Sequence, residues 1–286
     1  MLPYIYIEIG VLVFFTLIYA IFDVFNNRNV PNAFVYFTII VGIIVALLAY
    51  RGFDLFVAFS AAAAICLLGY LLYRSGMLGA GDVLELAFIS LVMPVQLQPF
   101  YNGAPQFSMP FVLSVIIAAG YTSLLFIPIY YIGIKKAVGR PSRKAKRTRT
   151  AGIFFAVYVA FIVALKYTYG LSVVGALLIL LLAAASAIVM VYEDRIYRGM
   201  VELIYPNALE EGDMIATNLM SSRDIAYFNK RAKFGRLATK KLILDIKNIR
   251  KRIPVYRDSV PFSLFIFIGV IISLLFGNLI LAVITL

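Results

Sequence analysis

Apolar residues dominate this chain in long blocks, broken by short polar or charged stretches. A membrane-crossing helix needs about 20 mostly apolar residues. Eight blocks approach that length, at 4–22, 33–50, 54–73, 82–98, 109–134, 151–167, 171–192 and 260–284. Each is predicted to be a transmembrane helix. The fourth, with "VLELAFISLVMPV" at its heart, is short and carries Glu85; the sixth is short as well and ends at Lys166. The longest polar interval, 193–259, departs from this pattern. Within it Phe234, Leu237, Leu242, Ile246 and Ile249 recur at helix-like spacing among lysines and arginines, which predicts an amphipathic stretch.

Charge orients the spans. With the basic run "KKAVGRPSRKAKRT" (135–148) on the cytoplasmic side, alternation puts loops 23–32, 74–81, 135–150 and 193–259 inside. Those loops hold 24 of the 26 lysines and arginines, leaving Arg51 and Lys166 outside. Such a bias fits eight spans with both termini outside. The expected architecture is an all-α polytopic membrane protein of the plasma membrane. It comprises a seven-span core over 1–192, a basic cytosolic segment over 193–259 and a final helix over 260–286. The basic segment reads first as a positive-inside loop along lipid headgroups, anionic ones included, and second as a platform for a partner.

Composition agrees and narrows the chemistry. Hydrophobic residues make up 63% of the 286 and charged residues 14%, with a mean hydropathy of +0.95. The net charge of +12 is accounted for by topology, and no base-reading or stacking cluster accompanies it, so nucleic acid is not an expected partner. Histidine is absent and Cys66 is the single cysteine. Imidazole and thiolate chemistry are excluded, no metal or other cofactor is expected, and any hydrolysis must rest on carboxylates or hydroxyls.

Nine of the fourteen acids lie in 193–259; Glu8, Asp23, Asp54, Asp82 and Glu85 sit within or at the edges of spans. An acid inside a membrane costs at least ~2.5 kcal/mol at a span centre. Glu8 and Asp54 lie near outer ends and read as structural. Asp23 closes the first span and Asp82 opens the fourth, both on the cytoplasmic side of a topology drawn from lysine and arginine alone. Singly, each reads as an ordinary helix-end carboxylate: Asp82 after "GAG" as an N-cap, Asp23 before a turn leading to Pro31. Together at one depth they read as a pair sharing a proton, one member a base toward water and the other an acid toward a carbonyl. Gly76, Gly79 and Gly81 beside Asp82 offer a backbone that an extended substrate strand can approach closely. Glu85, three residues on, either perturbs Asp82 through like charge or faces another span.

"GAGD" (79–82) resembles the GxGD signature of intramembrane aspartyl proteases, and "YAIFD" followed by "RNVPN" resembles the first-aspartate region of type IV prepilin peptidases. With one cysteine and no cysteine-bearing domain before the first span, the chain is similar to the archaeal members, the prepilin and preflagellin (pre-archaellin) peptidases. The resemblance covers about residues 10–135, and "VPFSLFIFIGV" (260–270) looks like the proline-led final span of such relatives. It implies Asp23 and Asp82 as the catalytic pair, Gly79 and Gly81 at the substrate, no cofactor, and precursor pilins or archaellins as substrates, cleaved at the cytoplasmic face. The competing reading from the residues alone is a proton- or ion-coupled transporter with Glu8, Asp82 and Glu85 as stations. A third is a catalytically silent membrane anchor for filament assembly.

Overall fold

Each of the eight apolar blocks becomes a helix, but their lengths obey two different rules. The computed structural model describes residues 2–26, 30–74, 78–95, 109–134, 145–232, 234–257 and 260–278. Its helices are α1 (Leu2–Phe25), α2 (Asn32–Ala49), α3 (Gly52–Arg74), α4 (Ala80–Val92), α5 (Phe111–Pro128), α6 (Ala145–Tyr169), α7 (Val173–Gly199), α8 (Ser222–Asn229), α9 (Lys240–Ile246) and α10 (Phe262–Phe276); a π-helical turn, Ile129–Ile134, follows α5. Gly76, much of the basic loop at 135–148, and the ends of the predicted fourth and last spans lie outside the described residues.

Six helices among the described residues are long and apolar enough to cross a membrane: α1, α2, α3, α5 with its π turn, α6 and α7. This is a mostly helical, multi-pass membrane protein. Of the eight predicted spans, the fourth corresponds to α4, which has 13 residues. At 1.5 Å per residue it reaches about 20 Å, short of a hydrocarbon core of about 30 Å. Its surroundings explain this. From Leu86 to Val92 every residue of α4 is buried. It packs against α3, α2, α1 and α10. A helix apolar on all sides belongs inside protein, and one wrapped by other helices has no reason to match the bilayer in length.

Small residues let these helices close on one another. A Cβ at Gly69 of α3 would fall 2.3 Å from Val83 Cγ1, one residue past Asp82. At the other end of α4 the hydroxyl of Tyr50 lies 2.7 Å from the Val92 carbonyl and 2.8 Å from Glu8 Oε2. The carbonyl is one of the orphan acceptors at a helix end, and Tyr50 satisfies it. Glu8 is thereby a buried structural group on α1. Beneath the cytoplasmic end of the predicted topology, Phe15 of α1 meets Phe88 of α4 edge-on at 5.6 Å, and Phe34 of α2 meets Tyr19 and Phe22 of α1 at 5.0 and 5.2 Å. Tyr19 is tied to α2 by a 2.7 Å hydrogen bond with Thr38.

The chain divides into two units. One comprises Met1–Phe126, Ala145–Val191 and Pro261–Leu286; the other comprises Ile127–Lys144 and Tyr192–Val260. The second has a core of its own, with Ile215, Phe228, Ala238, Ile246, Ile253 and Val255 all fully buried. The expected amphipathic stretch is resolved differently from a single helix. Only Lys240–Ile246 is helical there, yet Phe234, Leu242, Ile246 and Ile249 all reach the core, while Leu237 stays half-buried. An antiparallel pair closes the unit, β1 (Glu202–Ile204) against β2 (Ile253–Val255), with Leu203 opposite Pro254. The chain remains mostly helical, and this small sheet is an addition that strands of three residues are too short for an alternating pattern to reveal.

Side chains finish the unit. Ser221 caps α8 by accepting from the Asp224 amide. Lys251, and Ser221 after it, hold the Asp224 carboxyl below its ordinary range by hydrogen bonding to its charged form. Arg257 Nη2 donates to the Ala208 carbonyl at 2.7 Å and to Asp213 Oδ2 at 3.0 Å, pinning the turn that leads into the core. Replacing Arg257 with Ala removes the cationic partner of the half-buried Asp213 carboxylate, which keeps only its bond from the Glu210 amide. The expected loss is about 1–3 kcal/mol for this unit, read as a lower unfolding midpoint of the full chain in detergent.

Candidate active site

One helix end and two helix starts build the site. Asp23 lies two residues before the end of α1, and α1 packs along α10, whose first turn begins at Phe262. The first amide groups of a helix have no partner within it and point outward with partial positive charge. Pro261, at the N-cap of α10, has no N–H to satisfy and presets the turn. The amide of Ser263 does have one, and it donates to Asp23 Oδ2 at 3.0 Å. Asp23 is buried, with 6% of its surface exposed, so this bond is made largely out of water's reach.

Asp82 comes from the start of α4. The helix begins at Ala80, two residues earlier than the sequence predicted, so Asp82 occupies the third helical position and Gly79 is the N-cap. The Gly79 amide donates to Asp82 Oδ2 at 3.1 Å, half of a capping box. A Cβ on residue 79 would stand 2.9 Å from that oxygen. Glycine is needed here so that the carboxylate can fold back onto the chain. At Gly81 a Cβ would meet only Val30 at 3.7 Å, an ordinary contact. The other oxygen of Asp82, Oδ1, lies 3.2 Å from the hydroxyl of Ser263. Asp82 is half-buried, so water reaches it.

Ser263 therefore touches both acids, through its amide on one and its hydroxyl on the other. It is itself fully buried. Asp23 and Asp82, 59 residues apart in sequence, are brought together with their charges within mutual influence. Sequence reasoning singled out both acids and missed the serine. The available signal was a hydroxyl in the first turn of the proline-led apolar span "VPFSL", at the same predicted membrane face as the acids.

Glu85 is the third acid here, one turn along α4 and fully buried. It lies within electrostatic range of Asp82 and Asp23 and beside Ser263. Neither of its carboxyl oxygens has a hydrogen-bond partner among the described residues. Orphaned buried polar groups are costly. Glu85→Leu should therefore stabilise the protein by about 1–3 kcal/mol, read as a raised Tm in detergent. Glu8 is not part of this cluster. It sits by Val92, about 15 Å along α4 from Asp82. No group of three or more metal-binding side chains occurs among the described residues.

Residues 10–127 match the model of the type IV leader peptidase family. The match covers 118 of the 286 residues, and that segment is similar to type IV leader peptidases. It runs from α1 to the end of α5, contains Asp23, Gly79, Gly81 and Asp82, and stops far short of Ser263. The family is one of proteases, and the match supports a peptidase activity. No curated protein and no solved structure matches the chain significantly.

Proposed function

We propose that the protein is an intramembrane aspartic endopeptidase that removes the short basic leader from precursor pilins or archaellins at the cytoplasmic face of the plasma membrane, as archaeal prepilin and preflagellin peptidases do. The observation that carries this reading is the pair of carboxylates from α1 and α4 joined through one serine. A water between them loses a proton to the ionised acid as its oxygen bonds to the scissile carbonyl carbon. The protonated acid gives its proton to the carbonyl oxygen. Collapse of the resulting diol breaks the C–N bond, with the proton passing to the leaving nitrogen. Gly79 and Gly81 form the open backbone beside which an unwound substrate strand lies.

The substrate's own physics suits this site. A basic leader remains in the cytoplasm, an apolar helix remains in the bilayer, and the bond between them falls at the inner interface. The positive-inside distribution of lysine and arginine supports eight helices threaded with both ends outside, which sets Asp23 and Asp82 at that interface. Residues 193–259 then form a cytosolic unit beside anionic headgroups.

A transporter would use Glu8, Asp82 and Glu85 as a relay, but those acids are divided between the two ends of α4. The deciding experiment reconstitutes the full chain in vesicles with an epitope-tagged precursor and follows leader release and proton flux together. Leader release without protein-dependent flux is the expected result; flux without cleavage overturns the proposal.

A further inference from the structure

The two aspartates meet different kinds of donor at Ser263, and that difference separates their roles. The group facing Asp23 is a backbone amide, which can only donate. It favours an acceptor at Asp23 Oδ2 at all times, and charge strengthens the bond. The group facing Asp82 is a hydroxyl, which can donate or accept. Asp82 Oδ2 is already engaged by the Gly79 amide, so a proton on Asp82 must sit on Oδ1, where it meets the serine oxygen. Ser263 thus satisfies Asp82 in both states, donating to the carboxylate and accepting from the acid.

When the hydroxyl accepts from Asp82, its own proton needs another acceptor. Glu85 is the neighbouring carboxyl and its oxygens have no other partner among the described residues. The orphaned acid is explained as the second resting place for that one hydroxyl proton.

We infer that Ser263, contributed by a helix outside the matched family segment, is a positioning residue that makes Asp23 the base and Asp82 the acid of the pair. The inference rests on the proposed peptidase reading of that pair. In the ready state Asp23 is ionised under the Ser263 amide and takes the proton of the attacking water. Asp82 holds a proton on Oδ1 and delivers it to the scissile carbonyl oxygen. As the diol collapses, the leaving nitrogen takes up the proton held by Asp23, and a diol hydroxyl re-forming the carbonyl returns its proton to Asp82, which restores the ready state. The titratable groups facing this arrangement are Asp23 and Tyr19 from α1 and Glu85 from α4.

The test measures kcat for a tagged prepilin-type precursor against pH, using the full-length protein in detergent–lipid micelles. A pair sharing one proton gives a bell, with the base on the acid limb and the acid on the alkaline limb. Ser263→Ala keeps the amide and loses the hydroxyl. Its kcat should fall about 10- to 100-fold, as when an orienting hydrogen bond is lost. The alkaline limb should move up by about one pH unit, because the ionised form of Asp82 loses its donor, while the acid limb stays in place. Ser263→Thr restores the hydroxyl and should restore both limbs. Should the alanine variant fail to accumulate, Ser263→Cys keeps the shape with a weak donor and should show the same displacement. Asp23→Asn and Asp82→Asn run alongside. If both are inactive while the alanine or cysteine variant keeps kcat within about twofold and both limbs in place, Ser263 has no such role and the peptidase reading stands. If the asparagine variants still cleave, the peptidase reading falls and takes this inference with it.

Discussion

Asparagine at position 23 or 82 should cut leader removal by at least about a thousandfold, within the range that general acid–base groups contribute. The substitution keeps size and most hydrogen bonds. At 23 the amide oxygen still accepts from the Ser263 N–H; at 82 it accepts from the Gly79 N–H while the new NH2 group points at the Ser263 hydroxyl. What each variant loses is proton transfer: the first can no longer take a proton from water, and the second can no longer give one to a carbonyl. Because the two acids work as a unit, the double variant should be no slower than either single one. Two like charges held in proximity oppose each other in the folded state, so removing one should leave Tm equal or higher. A single-turnover assay of leader release, with Tm and membrane insertion followed in parallel, checks each part. Cleavage within about tenfold of the parent by both single variants would refute catalysis by this pair.

What the sequence made legible depended on how much each feature cost. An acid in an apolar run is expensive, so Asp23 and Asp82 stood out, and the lysine and arginine distribution set them at one depth before any contact was visible. Ser263 carries no such penalty, since a hydroxyl can bond to its own helix. It also lies 181 residues from the acid it meets, so nothing local marked it. The apolar blocks announced the helices, but the rule that a span needs about 20 residues holds only for helices facing lipid. α4 packs against other helices, so its 13 residues need not match the bilayer thickness. In residues 192–260, helical spacing identified four buried side chains, Phe234, Leu242, Ile246 and Ile249, but not Leu237, which stays half-buried, and it gave the wrong backbone. The irregular backbone before α9 and the Thr239 cap deliver these residues to a core that β1 and β2 close. Periodicity reports which side chains are buried; turns and pairing decide how the chain delivers them.

The second large effect concerns how Ser263 is held. α10 lies close to α5 at Gly269, where a Cβ would stand 2.7 Å from the Val115 carbonyl oxygen and 3.0 Å from the Ala119 amide nitrogen. Both are backbone atoms within a helix and neither can swing aside. Gly269→Ala must therefore push α10 off α5, at about 1–3 kcal/mol for overpacking, and Gly269→Leu should cost more. The nearby ring contact between Phe265 and Phe126, with centroids 5.5 Å apart, is strained by the same displacement. Ser263 rides on α10 six residues earlier, about 9 Å along the axis, so the shift carries it away from Asp23 and Asp82. Leader removal should fall together with Tm. Gly120→Ala on α5 is the matched control. Its Cβ meets nothing within 4 Å, and a helical glycine replaced by alanine gains up to about 1 kcal/mol. Equal Tm values for the two alanine variants would refute the close approach of α10 to α5. Adding Ser263→Ala to Gly269→Leu distinguishes a local from a global cause. If the displaced helix has already lost the serine contacts, the second change should cost little more activity, because two changes acting on one contact are not additive. A full additional loss would mean that α10 yields at Gly269 without moving its first turn, and that the acids hold Ser263 in place rather than the reverse.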